Sequence, residues 1–125
     1  MSFVEVYKNV IESKLSKKEA PTAEVAWDDY IYIPGILSAG IADILSGKTI
    51  GPEMQYYEVL LILDGEATVK ERRTGEEYNI SKGDLIVLKK GAKVTITVKK
   101  PMRYLYVTVP PHSEIAKVYY LNKEE

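Results

Sequence analysis

The stretch YYEVLLILDGEATVKE, residues 56–71, decides the fold class of this chain. It places Glu58 ahead of the consecutive aliphatic residues 59–63 and then turns at Asp64-Gly65 into a second strand-like segment. A short aliphatic run bounded by turn residues predicts a β-strand, and the lack of polar alternation predicts burial on both faces. We therefore expect 59–63 to be a central strand, with the core on one side and a helix or a second subunit on the other.

Similar short apolar segments fill the chain from Ala26 to Val109, and glycine or proline separates them. Roughly eight or nine closely spaced strands, with short turns and no crossover helices, predict an all-β sandwich or barrel. The 125 residues are expected to form a single domain, 1–125, because domains usually hold about 100–200 residues. The barrel itself should span about 26–109.

The two ends of the chain differ from this pattern. Ser2 and Glu5 have the spacing of a capping box, and apolar residues then recur every three to four positions, which predicts an amphipathic helix over 3–16. The C-terminal segment 113–121 is ambiguous, because Ser113 could cap a helix while the apolar residues 118–121 favour a strand.

Composition argues against several classes of partner. The net charge of −1 provides no overall field to attract nucleic acid or an anionic membrane. The chain has no cysteine, which excludes disulfides and thiolate metal sites, and its start lacks the pattern of a signal peptide. We expect a cytoplasmic protein that binds neither nucleic acid nor membrane. Lysine and glutamate dominate the charges, as is typical of heat-adapted proteins.

The glycine spacing resembles that of the cupin superfamily, whose first motif reads G-x5-H-x-H-x3,4-E-x6-G and whose second reads G-x5-P-x-G-x2-H-x3-N. Glu58 and Gly65 match the end of the first motif, and Gly83 and Gly91 match the glycines of the second. The resemblance covers about residues 40–109. It implies an all-β double-stranded β-helix, the cupin-type jelly-roll barrel, here with a short N-terminal α-helix.

The histidines that hold a metal ion in many cupins are missing from the matching positions. Glu53 and Gln55 stand at the paired histidines in one register, and Val94 stands at the histidine of the second motif. The only histidine, His112, lies beyond the motif. Too few nitrogen and carboxylate donors remain for a transition metal, so we expect no metal and no other cofactor.

The segment Tyr56-Tyr57-Glu58 is similar to the approach to this turn in the histidine-poor, ethanolamine-utilisation-type cupins. That narrower resemblance implies a metal-independent barrel linked to metabolic enzymes or microcompartments.

The expected ligand-binding residues are Glu53, Gln55, Tyr56, Glu58, Tyr104 and Tyr106. If Glu58 points inward, desolvation raises its pKa and suits it to acid or base catalysis or to gripping a ligand, whereas at the rim it only caps the barrel. Strand alternation places Tyr104 and Tyr106 on one face, where they line either a cavity or a packed core or interface. His112 is typical of a solvated loop residue, and acts as a base only if the C-terminal segment folds over the barrel mouth.

The sequence therefore predicts a metal-independent protein that binds a small organic ligand in its barrel, as a metabolic accessory or sensor, and that forms a homodimer. An isomerase or lyase that uses Glu58 as its acid or base is the alternative. A metal-dependent cupin oxygenase with atypical ligands is a further one.

Overall fold

The structure, a computed structural model, describes residues 3–115, and its regular secondary structure is almost entirely antiparallel β-strand. These are β1 (Lys17–Lys18), β2 (Ala23–Ile33), β3 (Leu37–Ile50), β4 (Tyr57–Glu71), β5 (Glu77–Ser81), β6 (Leu85–Leu88) and β7 (Val94–Val109). They pair in the order β1-β2-β3-β7-β4-β5, and β6 pairs with the first part of β4. The prediction of an all-β fold is confirmed.

The longest strands run through positions where the sequence predicted turns. Strand β4 continues past Asp64-Gly65, and its pairing with β7 shifts register repeatedly between Ile62 and Ala67. Gly65 has a φ of 90°, and an added Cβ would collide with the backbone of Pro101 on the neighbouring strand. The glycine therefore permits a β-bulge, which bends a strand without ending it. For this reason there are seven strands in the described chain, not eight or nine.

The bent strands enclose one apolar core. Its buried members all lie on strands β2 to β7, and they are Val25, Ile44, Leu60, Ile62, Ala67, Val69, Ile80, Leu88, Val94, Ile96 and Met102. On β4 the inward residues Leu60 and Ile62 are buried, whereas Val59 and Leu61 are each 36% exposed. The expected two-sided burial of 59–63 is therefore absent within one chain.

The predicted helix over 3–16 is wrong. That segment contains only a 3₁₀ helix at Val10–Glu12, and the chain then joins the sheet edge as β1. Isolated helices of this length are marginal unless an apolar face is packed against a partner. Phe3 is 96% exposed and Val4 is 73% exposed, so that packing is missing.

Contacts of the backbone hold the segment in an irregular path instead. The guanidinium of Arg103 donates a hydrogen bond of 2.7 Å to the carbonyl oxygen of Ile11, and the amide of Ser16 donates to Asp28 at 3.0 Å.

At the other end, a 3₁₀ helix spans His112–Glu114. Most of the ambiguous segment 113–121 lies outside the described residues, so neither of its two interpretations is decided. No helix within 3–115 is long and apolar enough to cross a membrane.

Candidate functional site

Two adjoining chambers open between the sheet and the loop that precedes β4. Their volumes are about 110 Å³ and about 90 Å³, enough for several waters or a small organic molecule. Tyr56, Glu58 and Tyr104 line both chambers. We call the two chambers together the barrel cavity.

Glu58 lies at the junction of the chambers because of its position on β4. Alternation along this strand turns Glu58 to the same side as Leu60 and Ile62, and Glu58 pairs with Thr108 of β7 and Leu88 of β6. Its carboxyl group makes no hydrogen bond with any residue of the described chain. Burial among apolar neighbours raises the pKa of Glu58 from 4.5 to about 7. A carboxyl group of this kind exchanges protons readily near neutral pH.

A hydrogen-bonded network forms the polar wall of the smaller chamber. The hydroxyl of Tyr106 donates to Oδ1 of Asp29, and Nε2 of His112 lies 2.9 Å from the same oxygen and 3.1 Å from Oδ2. The rings of Tyr106 and His112 also meet edge to face at 5.8 Å. Burial, and then the hydrogen bond to Asp29, raises the pKa of Tyr106 far above its ordinary value, so the phenol stays protonated as a donor.

This geometry assigns a tautomer to His112. Asp29 is an acceptor, so Nε2 carries a proton, and Nδ1 makes no hydrogen bond with residues 3–115. The backbone amide of His112 donates to the hydroxyl of Thr108 at 3.0 Å, and Thr108 is bonded in turn to Ser38 at 2.5 Å. The histidine is therefore held by both its ring and its backbone. Its side chain is 17% exposed, unlike that of a solvated loop residue.

All six residues predicted to bind ligand lie at the barrel cavity. Glu53, Gln55, Tyr56, Glu58 and Tyr104 line the larger chamber, and Tyr106 lines the smaller one. Glu53 and Gln55 are exposed and stand at its mouth, whereas Tyr56 is buried. Whether these residues bind a ligand remains a prediction.

Sequence reasoning missed Asp29 and Trp27, and it left His112 outside the site. Asp29 and its neighbour Asp28 interrupt an otherwise apolar and aromatic strand, which is a signal of special placement. Nothing local shows which of the two faces Tyr106. The carboxylate of Asp28 instead accepts a hydrogen bond from the backbone amide of Ser16.

The metal ion that many cupins carry does not fit this cavity. The position of the second-motif histidine is Val94, which lines the larger chamber and offers no donor atom. Within residues 3–115 no three histidine, aspartate or glutamate side chains gather closely enough to hold a metal ion. The two carboxylates of Glu53 and Glu58 do not converge with a third donor, and the one imidazole at the cavity, that of His112, is bonded to Asp29, so the donor set is poor for a transition metal.

Comparisons with known proteins agree with this architecture. A family model described as the EutQ-like cupin domain matches residues 35–106. No curated protein matches the sequence significantly.

Many solved structures share the fold. The EutQ protein of Clostridium difficile has a TM-score of 0.68 at 24% identity, over 78% of this chain and 81% of that one. Ectoine synthase from P. lautus has a TM-score of 0.69 at 21% identity, over 96% of this chain and 90% of that one. The polyketide cyclase RemF from Streptomyces resistomycificus has a TM-score of 0.74 at 15% identity, over 94% and 86% of the two chains. At these identities the likeness concerns the fold alone.

Proposed function

Because this chain belongs to the family of EutQ-like cupin domains, we propose that it binds a small organic ligand in the barrel cavity without a metal ion, as a metabolic accessory or sensor protein. The observation that carries the proposal is Glu58, a carboxyl group inside a cavity with no hydrogen-bond partner in the described chain. Buried polar groups are normally satisfied, so an unsatisfied one that faces a cavity is well explained by a ligand or ordered water. The tyrosines around Glu58 offer aromatic faces and hydroxyl groups to such a molecule.

Thermal unfolding against a library of small metabolites tests the proposal. A ligand of the cavity should raise the melting temperature of the wild-type protein and lose this effect in Glu58→Gln. The matched control is Glu66→Gln, since Glu66 lies on the same strand but is solvent-exposed. Hits that are equally strong in Glu58→Gln would place the ligand elsewhere and contradict the proposal.

The second candidate function is an isomerase or lyase that uses Glu58 as its acid or base. Two observations favour it: the pKa of about 7 of Glu58, and the His112 ring held by Asp29 at the same cavity. A protonated Glu58 and an unprotonated Nδ1 of His112 would form an acid and a base acting on one small molecule. Turnover of a hit from the library, abolished in both Glu58→Gln and His112→Gln, would establish this function over simple binding.

We also propose that the protein is a homodimer that buries the outer face of β4 and its neighbours. Val59 pairs with Val87 and Val107, and Leu61 pairs with Leu85, so apolar side chains form continuous rows across three strands. Leu85 is 72% exposed and Val87 is 49% exposed. Exposed apolar patches of this kind usually mark interaction sites. Analytical ultracentrifugation at micromolar concentration should show a dimer for the wild type and a monomer for Leu61→Lys, and a wild-type monomer would refute it.

A further inference from the structure

Acidic side chains outnumber basic ones around the described part of the barrel cavity, where His112 is the one basic side chain. No lysine or arginine of the described chain lines either chamber, whereas Glu58 lies at their junction and Glu53 at the mouth. Behind the wall of the smaller chamber stands Asp29, whose carboxylate accepts hydrogen bonds from Tyr106 and His112. His112 therefore brings no net positive charge when it is neutral, and forms a neutral pair with Asp29 when it is protonated.

The charges around the cavity discriminate between ligand classes. An anionic ligand would meet the carboxyl group of Glu58 at short range, with no cationic side chain to compensate for its lost hydration. An ammonium cation would donate a charge-assisted hydrogen bond to the ionised carboxylate of Glu58, and such bonds are about twice as strong as neutral ones.

Aromatic side chains line the same cavity as this carboxyl group. Tyr56, Tyr104 and Tyr106 all line the cavity beside Glu58, and the faces of such rings attract cations. The Trp27 ring, at the edge of the smaller chamber, already accepts the ammonium group of Lys18 on one side, 5.5 Å from its centroid. Carboxylate and aromatic faces together are the combination that recognises organic ammonium groups.

We propose that the ligand is a small organic monocation, a primary or methylated amine, whose ammonium group pairs with Glu58 and whose hydrocarbon part lies against Leu60 and Val94. This inference rests on the proposed ligand-binding function and specifies its ligand class. The apolar side of the larger chamber, which includes Leu60, Val94 and Ile96, suits a short hydrocarbon chain.

The pairing implies that binding is linked to a proton. Glu58, with a pKa of about 7, is partly protonated at neutral pH, and only its ionised form pairs with a cation. The other titratable groups that line the cavity with it are Tyr56 just before β4, Tyr104 and Tyr106 of β7, His112 after it, and Glu53 at the mouth. Cation affinity should therefore rise as pH increases through about 7, with release of a proton from Glu58 on binding.

Three probes of equal size and different charge test the inference: propylammonium, 1-propanol and propionate. Each is titrated at millimolar concentration into the ¹⁵N-labelled full chain, and binding is followed by amide chemical shifts. Propylammonium should bind about tenfold more tightly than 1-propanol, and propionate should not bind. Between pH 6 and pH 8 the affinity for propylammonium should rise in the wild type and in His112→Gln, but not in Glu58→Gln.

The outcomes separate this inference from the function on which it rests. If 1-propanol or propionate binds as well as propylammonium, and does so through Glu58, the cavity is a ligand site but the cation inference is wrong. The same holds if a library ligand that depends on Glu58 is neutral or anionic. If propylammonium fails to shift the amides around the cavity, the inference is overturned. Glu66→Gln serves again as the control that removes a carboxylate without touching the cavity.

Discussion

Ionisation of Glu58 is unfavourable in the folded chain, so the stability of the fold depends on pH. Its carboxyl group has a pKa of about 7 in the folded chain, against 4.5 when it is free of burial. Below pH 4.5 Glu58 is protonated in both the folded and the unfolded chain. Between pH 4.5 and about 7 it loses its proton in the unfolded chain but keeps it in the folded chain. The stability of the wild type should therefore fall as pH rises towards 7, and above that the full cost of burying a charge remains.

We predict that Glu58→Gln is more stable than the wild type at pH 8 but nearly equal to it at pH 4.5. The rise from 4.5 to about 7 corresponds to at most about 3 kcal/mol, at roughly 1.4 kcal/mol for each pH unit, because Glu58 is only half-buried and solvent screens part of its charge. Urea unfolding of both proteins at the two pH values measures the difference. An equal effect of the substitution at both values would show that Glu58 is not desolvated in the folded chain.

Gly40 permits the close approach of Tyr106 to β3. A Cβ at this position would lie 2.8 Å from Cζ of Tyr106, and closer still to its hydroxyl oxygen and to the carbonyl oxygen of Asp28. We predict that Gly40→Ala costs about 1–3 kcal/mol, because the phenol or the backbone must move. Chemical denaturation measures the loss, and the NMR signal of the only imidazole, that of His112, should shift as the network is displaced.

The matched control is Gly51→Ala at the same cavity. The contact of its added Cβ with the carbonyl oxygen of Val94 would be an ordinary 3.6 Å, so little change is expected. If both substitutions lower the free energy of unfolding equally, the clash of a Cβ at position 40 with Tyr106 and Asp28 is not the cause of the loss.

At the scale of elements, the ion pair between Arg103 and Asp43 joins β7 to β3 and holds the N-terminal segment. Nε and a terminal nitrogen of the guanidinium lie 2.7 Å and 2.8 Å from the two carboxylate oxygens, and the other terminal nitrogen bonds Ile11. The side chains are 22% and 11% exposed. The hydrogen bond to Asp43 also raises the pKa of Arg103, so the guanidinium stays charged.

We predict that Arg103→Leu lowers the free energy of unfolding by roughly 2–3 kcal/mol, because Asp43 is left as a nearly buried charge without its partner. Lys100→Ala, which breaks the exposed pair with Glu66, should cost less than about 0.5 kcal/mol. Denaturant unfolding compares the two. In Arg103→Leu, amide hydrogen exchange in residues 10–16 should also become faster. Equal losses of stability in the two variants would contradict the stabilising role of the Arg103–Asp43 ion pair.

At the scale of the whole molecule, we predict that stability does not depend on a bound metal. Protein purified without a chelator should contain far less than one equivalent of any transition metal, and EDTA should leave its melting temperature unchanged. The physical reason is the donor set, since Glu53, Gln55 and Val94 stand where the motif has imidazoles, and the imidazole of His112 is bonded to Asp29. A stoichiometric metal in elemental analysis would contradict the metal-independent function.

Much of the barrel could be predicted because its signals are local. The glycine spacing and the strand alternation depend on neighbouring residues only, so the cupin resemblance, the antiparallel strands and the shared face of Tyr104 and Tyr106 follow from the sequence. The helix over 3–16 was wrong for the same reason. Its periodicity is local, but a helix of that length needs a surface to pack on, and the described fold leaves most of its apolar residues exposed.

The sequence by itself determined that Glu58 stands at the head of an inward-facing strand and that no histidine stands beside it in the motif. Only the tertiary structure decided what surrounds that carboxyl group. Asp29 meets Tyr106 and His112 across 77 and 83 residues of chain, through strand register and a loop that returns to the cavity. Contacts at such separations depend on how bulges bend the long strands β3, β4 and β7, which no local pattern specifies.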